Sequence, residues 1–382
     1  MATKIEQVES IRIGGTYLVR IQTESGLTGL GQTACWGYPE AVQQIVERFG
    51  SYLVGQDPFR IEHHWQANYR TGPFRGSALS GAVSAVDIAL WDIKGKHFGA
   101  PVWELMGGKC RERIRLFLLM EGAETPDQVA TQARAAAEEG FTALKFDPLP
   151  AGYQNMSHAR QIASVRDLVA AARETVGDDV DLIVEIHRKL TPLVAVPLAD
   201  ALAEFRPLFY EDPIQIDSIV SQAEVARRIS IPVANGERLH SIWEFRELLA
   251  CGGPQYVRPD VGLAGGLTHC KKIAAIAESY HCAVVTHNFL GPVLTAASVH
   301  LDTCIPNFVT QEYSKYDESP ESAVYRTALK RDGGFLPVPE MPGLGIELDD
   351  ATLVQAQQES VGPVRLSQQP LLRSDGSVAS SV

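Results

Sequence analysis

The chain has 382 residues, 45% of them hydrophobic and 21% charged, with a formal net charge of −12; that length holds one large domain or two. A negative chain without basic runs excludes nucleic acid as an expected partner, because phosphate binding needs clustered Lys and Arg. No apolar run reaches the roughly 18 residues of a membrane span, residues 1–6 lack the core of a signal peptide, and the six cysteines lack CxxC spacing, so a cytoplasmic protein with reduced thiols and no membrane partner is expected.

Residues 5–31 read as two or three strands, with Glu24-Ser25-Gly26 as a turn before Leu27–Gly31. Helical patterns follow near 39–53 and 58–70. The stretches Cys35-Trp36-Gly37-Tyr38 and 69–76 read as loops, the second rich in Arg, aromatic and Gly residues. It reads equally as a plain surface loop and as one that closes over an anionic substrate. Residues 80–96 form a buried helix, since Ala82, Ala85, Val86, Ala89, Leu90 and Ile93 keep the 3–4 spacing. A short helix starts at Pro101 and ends at Gly107-Gly108.

From about residue 115 the pattern changes to strand–helix alternation. Residues 115–120 are a strand, Thr125-Pro126-Asp127 is a helix start, and Gly140 is a stop. Residues 142–147 form the next strand, with Lys145 and Asp147 at its end. A helix over 157–176 leads to an apolar run ending in Glu185-Ile186-His187. On a strand, residues i and i+2 share a side, so Glu185 and His187 would face one way. Alone, that pair reads as a strand entering a wet loop. Five further runs of the same kind end in Glu211, Glu237, Asp260, His287 and Glu312, at intervals of 26, 26, 23, 27 and 25 residues. Each interval fits one strand, one helix and two short loops. Eight strands starting near 115, 143, 182, 208, 232, 256, 283 and 308 imply a closed parallel α/β barrel, whose functional groups gather at the strands' C-terminal ends.

Three carboxylates brought together repel one another and need a cation. Glu185, Glu211 and Glu237 are the expected ligands, and their oxygens suit Mg²⁺, with Mn²⁺ possible, better than Zn²⁺. His187 and His287 would flank the metal, one removing a proton and one delivering it, with Asp260 orienting His287. That combination suits chemistry α to a carboxylate. A cation stabilises the enediolate left by α-proton removal, and protonation of a 3-hydroxyl then expels water.

These residues resemble the enolase superfamily, in the branch that includes mandelate racemase and the acid-sugar dehydratases. The resemblance covers nearly the whole chain: residues 84–96, Glu211-Asp212-Pro213, Gly236-Glu237-Arg238, Pro259-Asp260, Gly265-Gly266 and Pro342-Gly343-Leu344-Gly345. It implies a TIM-type modified (β/α)7β barrel over 115–330 and an α+β N-terminal capping domain over 1–114. A C-terminal segment, 331–382, would complete the cap and end in a flexible tail from about 373. Loops near 14–17 and 70–76 would be substrate lids. Within the superfamily the chain most resembles galactonate and gluconate dehydratases. That implies one Mg²⁺ per subunit, His287 with Asp260 as the base at C2, and His187 as the acid. Glu312 would bond the substrate carboxylate or enediolate. Lys145, Asp147, Arg75, Tyr17 and Trp36 are expected substrate contacts, and homo-oligomers, often octamers, are expected. Two features depart from the group: the second strand ends Lys145-Phe146-Asp147 instead of Lys-x-Lys, and Glu185 stands where galactonate dehydratase has Asp. A racemase, epimerase or cycloisomerase on a related carboxylate is the alternative, and a non-catalytic protein on the same fold is the third reading.

Overall fold

A computed structural model of the chain describes residues 3–120, 122–359 and 371–379. The N-terminal region opens with an antiparallel meander of β1 (Ile5–Ile13), β2 (Thr16–Thr23) and β3 (Thr28–Gln32), followed by α1 (Pro39–Leu53), α2 (Ile61–Arg70), α3 (Ser77–Phe98) and α4 (Val102–Leu105). The helix α3 is apolar on nearly every side and buried along most of its length. The strand β3 lies directly on its backbone. A Cβ on Gly29 would stand 2.1 Å from the Ala89 carbonyl oxygen, and one on Gly31 1.9 Å from that of Ala85. Only residues without a side chain permit that approach.

The barrel runs β4 (Arg113–Leu119), α5 (Pro126–Glu138), β5 (Ala143–Phe146), α6 (His158–Val176), β6 (Asp181–Glu185), α7 (Pro192–Leu202), β7 (Phe209–Glu211), α8 (Ile219–Arg228), β8 (Val233–Asn235), α9 (Ile242–Ala250), β9 (Tyr256–Val257), α10 (Gly266–Ser279), β10 (Ala283–Thr286), α11 (Pro292–Cys304) and β11 (Phe308–Tyr313). Each strand pairs in parallel with the next, and β11 closes back onto β4. Among the described residues this is eight strands and seven helices, a (β/α)7β barrel. Phe117, Ala143, Ile183, Phe209, Ala234 and Val285 fill its interior. Side-chain caps begin several of the helices, with Thr125 and Gln128 forming a full capping box at α5.

The remaining elements are β12 (Tyr325–Thr327), β13 (Phe335–Pro337), β14 (Ile346–Leu348) and α12 (Asp350–Glu359). The strand β13 pairs with the start of β4, under the barrel, while β12 and β14 pair with each other. So the C-terminal segment serves the barrel as well as the cap. One apolar cluster joins Ile5, Leu18 and Phe49 of the N-terminal region to Leu267, Ile273 and Val293 of the barrel and Leu344 and Ile346 of the C-terminal segment. Buried Asp92 of α3 ties the N-terminal region to the C-terminal segment, accepting from Leu30 N at 2.9 Å and from Leu344 N at 2.8 Å.

The tail expected to be flexible from about 373 is, over residues 371–379, a small hairpin seated on the loop after β5. Leu372 bridges Val378, Ser374 N donates to Asn155 Oδ1 at 2.7 Å, Gln154 Nε2 donates to the Leu372 carbonyl at 3.1 Å, and Ala379 is buried. Its polar composition hid these anchors, because it is the backbone that makes them. No helix among the described residues is long and apolar enough to cross a membrane.

Candidate active site

At the C-terminal mouth of the barrel, neighbouring strands deliver Glu185, at the end of β6, and Glu211, at the end of β7. Glu237 arrives two residues beyond β8, after Gly236 turns the chain at φ 130°. The three carboxylates are buried and offer oxygens within 4.8 Å of one another. Glu211 Oε2 is buried without a hydrogen-bond partner.

Four cations surround this cluster, one of them Arg238, whose Nε lies 3.2 Å from Glu237 Oε1. Lys145 Nζ lies 3.1 Å from Glu185, 3.2 Å from Glu211 and 2.5 Å from Glu312. Arg258 reaches Glu211 and Glu312, each at 2.6 Å, and Arg188 reaches Asp212 at 2.7 Å and Glu237 at 2.6 Å. Five carboxylates thus face four cations, a formal excess of one negative charge. Burial pushes the Glu211 carboxyl well up, against the pull of Arg258, and nearby Glu185 raises it further. An all-oxygen cluster with an unused buried oxygen and a net negative charge fits a hard divalent cation.

The two histidines flank it on opposite sides, since β6 and β10 stand four strands apart in an eight-strand ring. His287, just beyond β10, bonds through Nδ1 to Asp260 Oδ2 at 2.6 Å, and its Nε2 lies 3.5 Å from Glu237 and 3.8 Å from Glu312. The strand β9 stops at Val257, and Asp260 reaches His287 through a single bridge beyond it. His187 differs from the expectation. It does not continue β6 but stands in a turn, where His187 and Arg188 both have left-handed backbones (φ 50° and 62°). The turn is held by His187 N donating to Glu185 Oε1 at 2.7 Å and by the Arg188 ion pairs. It still delivers the ring, with Nε2 4.0 Å from Glu185. Burial presses the His187 pKa down, but the charge of Glu185 and the bond to Asp147 outweigh it and raise the value.

A cavity of about 400 Å³ opens over these groups, lined by Trp36, Leu119, Met120, Lys145, Phe146, Asp147, His187, Glu237, Arg238, His287, Phe289 and Glu312 among others. Trp36 enters from the cap because its loop is tied to the barrel, with Ala34 N donating to the Gly262 carbonyl and Gln32 to that of Leu290. Two expected substrate contacts lie outside this lining. The Arg75 guanidinium donates to the Gly72 and Phe74 carbonyls of its own loop and covers the Tyr69 ring. Tyr17 is buried in the cap, its phenol facing Arg12 and Glu40. Asp147 lines the cavity, but its carboxylate is engaged by His187 and Lys189. Sequence reasoning gave no role to Arg188, Lys189, Asp212, Arg258 or Phe289. Arg258 lies inside a strand-end run already singled out, and Arg188 directly follows one. Arg188 stands three residues after Glu185 and Arg258 two before Asp260, and a cation that close to an acid at a barrel mouth is the signal that would have found them.

Comparison with known proteins follows the same lines. Residues 8–107 match the mandelate racemase / muconate lactonizing enzyme N-terminal domain, and residues 128–352 the enolase C-terminal domain-like family. D-galactonate dehydratase of Cronobacter sakazakii is 34% identical over 388 residues, covering 98% of this chain and 99% of that protein. The enzyme of the same name from Ralstonia pickettii is 34% identical, covering 94% and 95%. Among solved structures, a mandelate racemase/muconate lactonizing enzyme from Jannaschia sp. CCS1 superposes with a TM-score of 0.87 at 33% identity, covering 92% of this chain and 97% of that one. A member of the enolase superfamily from Salmonella Typhimurium does so with a TM-score of 0.88 at 30% identity, covering 92% and 98%.

Proposed function

Because this chain belongs to the mandelate racemase / muconate lactonizing enzyme family of the enolase superfamily, we propose that it is a hydro-lyase that converts a sugar acid, an aldonate such as galactonate or gluconate, into a 2-keto-3-deoxy acid. The observation that carries this reading is the pair of imidazoles facing one cavity from opposite strands, each with a carboxylate on Nδ1. Full-length similarity to D-galactonate dehydratases supports the substrate class.

Glu185, Glu211 and Glu237 would hold the metal, with Mg²⁺ the expected ion. Bound there, the ion supplies positive charge to the substrate carboxylate when the α-carbon loses its proton. Asp260 accepts the Nδ1 proton of His287, so Nε2 presents a lone pair to the cavity and takes the C2 proton. The C–H electrons enter the carboxylate as an enediolate, beside the Lys145 ammonium and Glu312. As the electrons return, the C3–O bond breaks. His187 Nε2 gives its proton to the departing hydroxyl, which leaves as water. The resulting enol gains a proton at C3 and loses its hydroxyl proton, giving the keto acid. Apolar Leu119, Met120, Phe146 and Phe289 in the wall limit water at the reacting carbons.

The test is a Mg²⁺-dependent screen of five- and six-carbon sugar acids, with 2-keto-3-deoxy products detected as semicarbazones. A hit that His187→Ala and His287→Ala each reduce by about 100-fold or more establishes the reading. Deuterium incorporation at C2 in D₂O without loss of water would replace it with a racemase or epimerase.

A further inference from the structure

Asp147 stands near the position where the racemases of this family carry a second lysine, and most of its acceptor capacity is taken by neighbouring protein groups. Oδ1 accepts from Leu149 N at 2.9 Å. Oδ2 accepts from His187 Nδ1 at 2.9 Å and from Lys189 Nζ. A carboxylate with both oxygens engaged is a fixed acceptor. The residues on either side of the bond explain why His187 needs one. A side chain on a strand inherits its direction from the pleat, but His187 sits past the end of β6 in a left-handed turn. The backbone there is pinned by Arg188, and the ring by Asp147. Asp147 in turn is carried on a stiff loop, between β5 and Pro148 and Pro150, that the C-terminal hairpin clamps through Gln154 and Asn155.

We propose that Asp147 is a positioning residue for His187. With Lys189 it fixes the ring so that Nδ1 holds its proton on the Asp147 side and Nε2 faces the cavity. The site then contains two carboxylate–imidazole pairs, Asp260–His287 and Asp147–His187, one for each proton transfer. The first serves removal of the C2 proton and the second serves departure of the 3-hydroxyl. The pairs are built from different strands, so each transfer can be disabled separately. This inference rests on the dehydratase reading, but the geometry of the ring does not, and the experiment separates the two.

The experiment compares wild type, Asp147→Ala and Lys189→Met in three measurements. The first is the tautomer of His187 in the protein without substrate, read from ¹⁵N imidazole shifts assigned by their loss in His187→Gln. Wild type should show Nδ1 protonated, and Asp147→Ala should lose that signature. An unchanged signature overturns the proposal, whatever the enzyme does. The second is steady-state dehydration. Asp147→Ala should lower kcat by about 100-fold with KM within a few-fold of wild type, and Lys189→Met should lower kcat by a smaller factor. The third is exchange of the C2 proton in D₂O, which His287 serves. It should fall far less than dehydration in Asp147→Ala, so the ratio of exchange to dehydration rises. Parallel loss of both with a raised KM would make Asp147 a substrate contact and overturn the proposal. Wild type that dehydrates nothing would remove the function proposed above, leaving the ring-fixing role to stand or fall on the ¹⁵N shifts. If Asp147→Ala does not fold, Lys189→Met decides: a kcat and tautomer equal to wild type overturns the role of the pair.

Discussion

A guanidinium with no exposed surface is costly unless opposite charges meet it. Arg258 meets Glu211 and Glu312, each at 2.6 Å. It lies against the face of Phe117, which walls off water below. Burial would press its proton off, but the charges of Glu211, Glu312, Glu237 and Glu185 raise its pKa, so it stays a cation at any working pH. The residue therefore acts as a permanent counter-charge under the carboxylate cluster. Arg258→Met keeps the volume and removes the charge, leaving two buried carboxylates with Lys145 as their remaining close cation. The expected cost is about 3–5 kcal/mol, the range for breaking a buried pair from one side. It should appear as a lower urea midpoint in chelator. Millimolar Mg²⁺ should recover part of it, because a divalent ion supplies charge to the same oxygens. A midpoint unchanged from wild type would remove Arg258 from this role.

The contact of α3 with α10 holds cap and barrel together, and at its centre is Asp87. Its Oδ2 accepts from Thr268 N at 3.0 Å, it is buried, and Oδ1 has no partner. Burial raises its pKa from 3.8 to about 7. The folded state therefore binds this proton more tightly than the unfolded chain. The associated stability is present in full below about pH 4 and is lost as pH rises through about 7. Asp87→Asn cannot ionise, so the Tm of the variant minus that of wild type should become more positive between pH 5 and pH 8. A difference that is flat over that range would mean that the group is not buried as a neutral acid. Asp87 also marks what the sequence could convey. The 3–4 spacing of α3 exposed the buried face of the helix, because periodicity is local information. The regular intervals between strand ends likewise made the barrel and the order of Glu185, Glu211, Glu237, Asp260, His287 and Glu312 readable. What could not be read was where strands stop. The left-handed turn at His187 and Arg188 breaks the period-2 rule, so Arg188 appeared to face away from a cluster it joins. The contacts of Asp147 lie 40 and 42 residues away in sequence, and no local pattern encodes them. Arg75 and Tyr17 had suitable chemistry, but Arg75 bonds the carbonyls of its own loop and the Tyr17 phenol faces Arg12 of β1 and Glu40 of α1.

At the scale of the whole molecule, the cap is not a separate module resting on the barrel. The apolar cluster that begins at Ile5 passes through α3 into α10 and α11 and ends in the C-terminal segment. Trp65 Nε1 donates to the Gly265 carbonyl at 2.8 Å, and Asp92 holds β3 and Leu344 from one side chain. A cap that unfolded alone would expose the outer face of the barrel's second half together with these buried polar groups, which is costly on both counts. The expected result is one calorimetric transition for cap and barrel together, despite the two family domains that match the chain. The cluster of Glu185, Glu211 and Glu237 is wholly within the barrel, yet a cation saturating it should move that whole transition. Mg²⁺ at about 100 times its Kd adds about 2.7 kcal/mol to the folded state, enough for a rise of a few degrees over a chelated sample. Glu211→Gln, which removes a ligand oxygen's charge, should abolish the rise while leaving a single transition. Two transitions in the chelated protein, with Mg²⁺ shifting only the upper or the lower one, would show that the shared core does not couple cap to barrel.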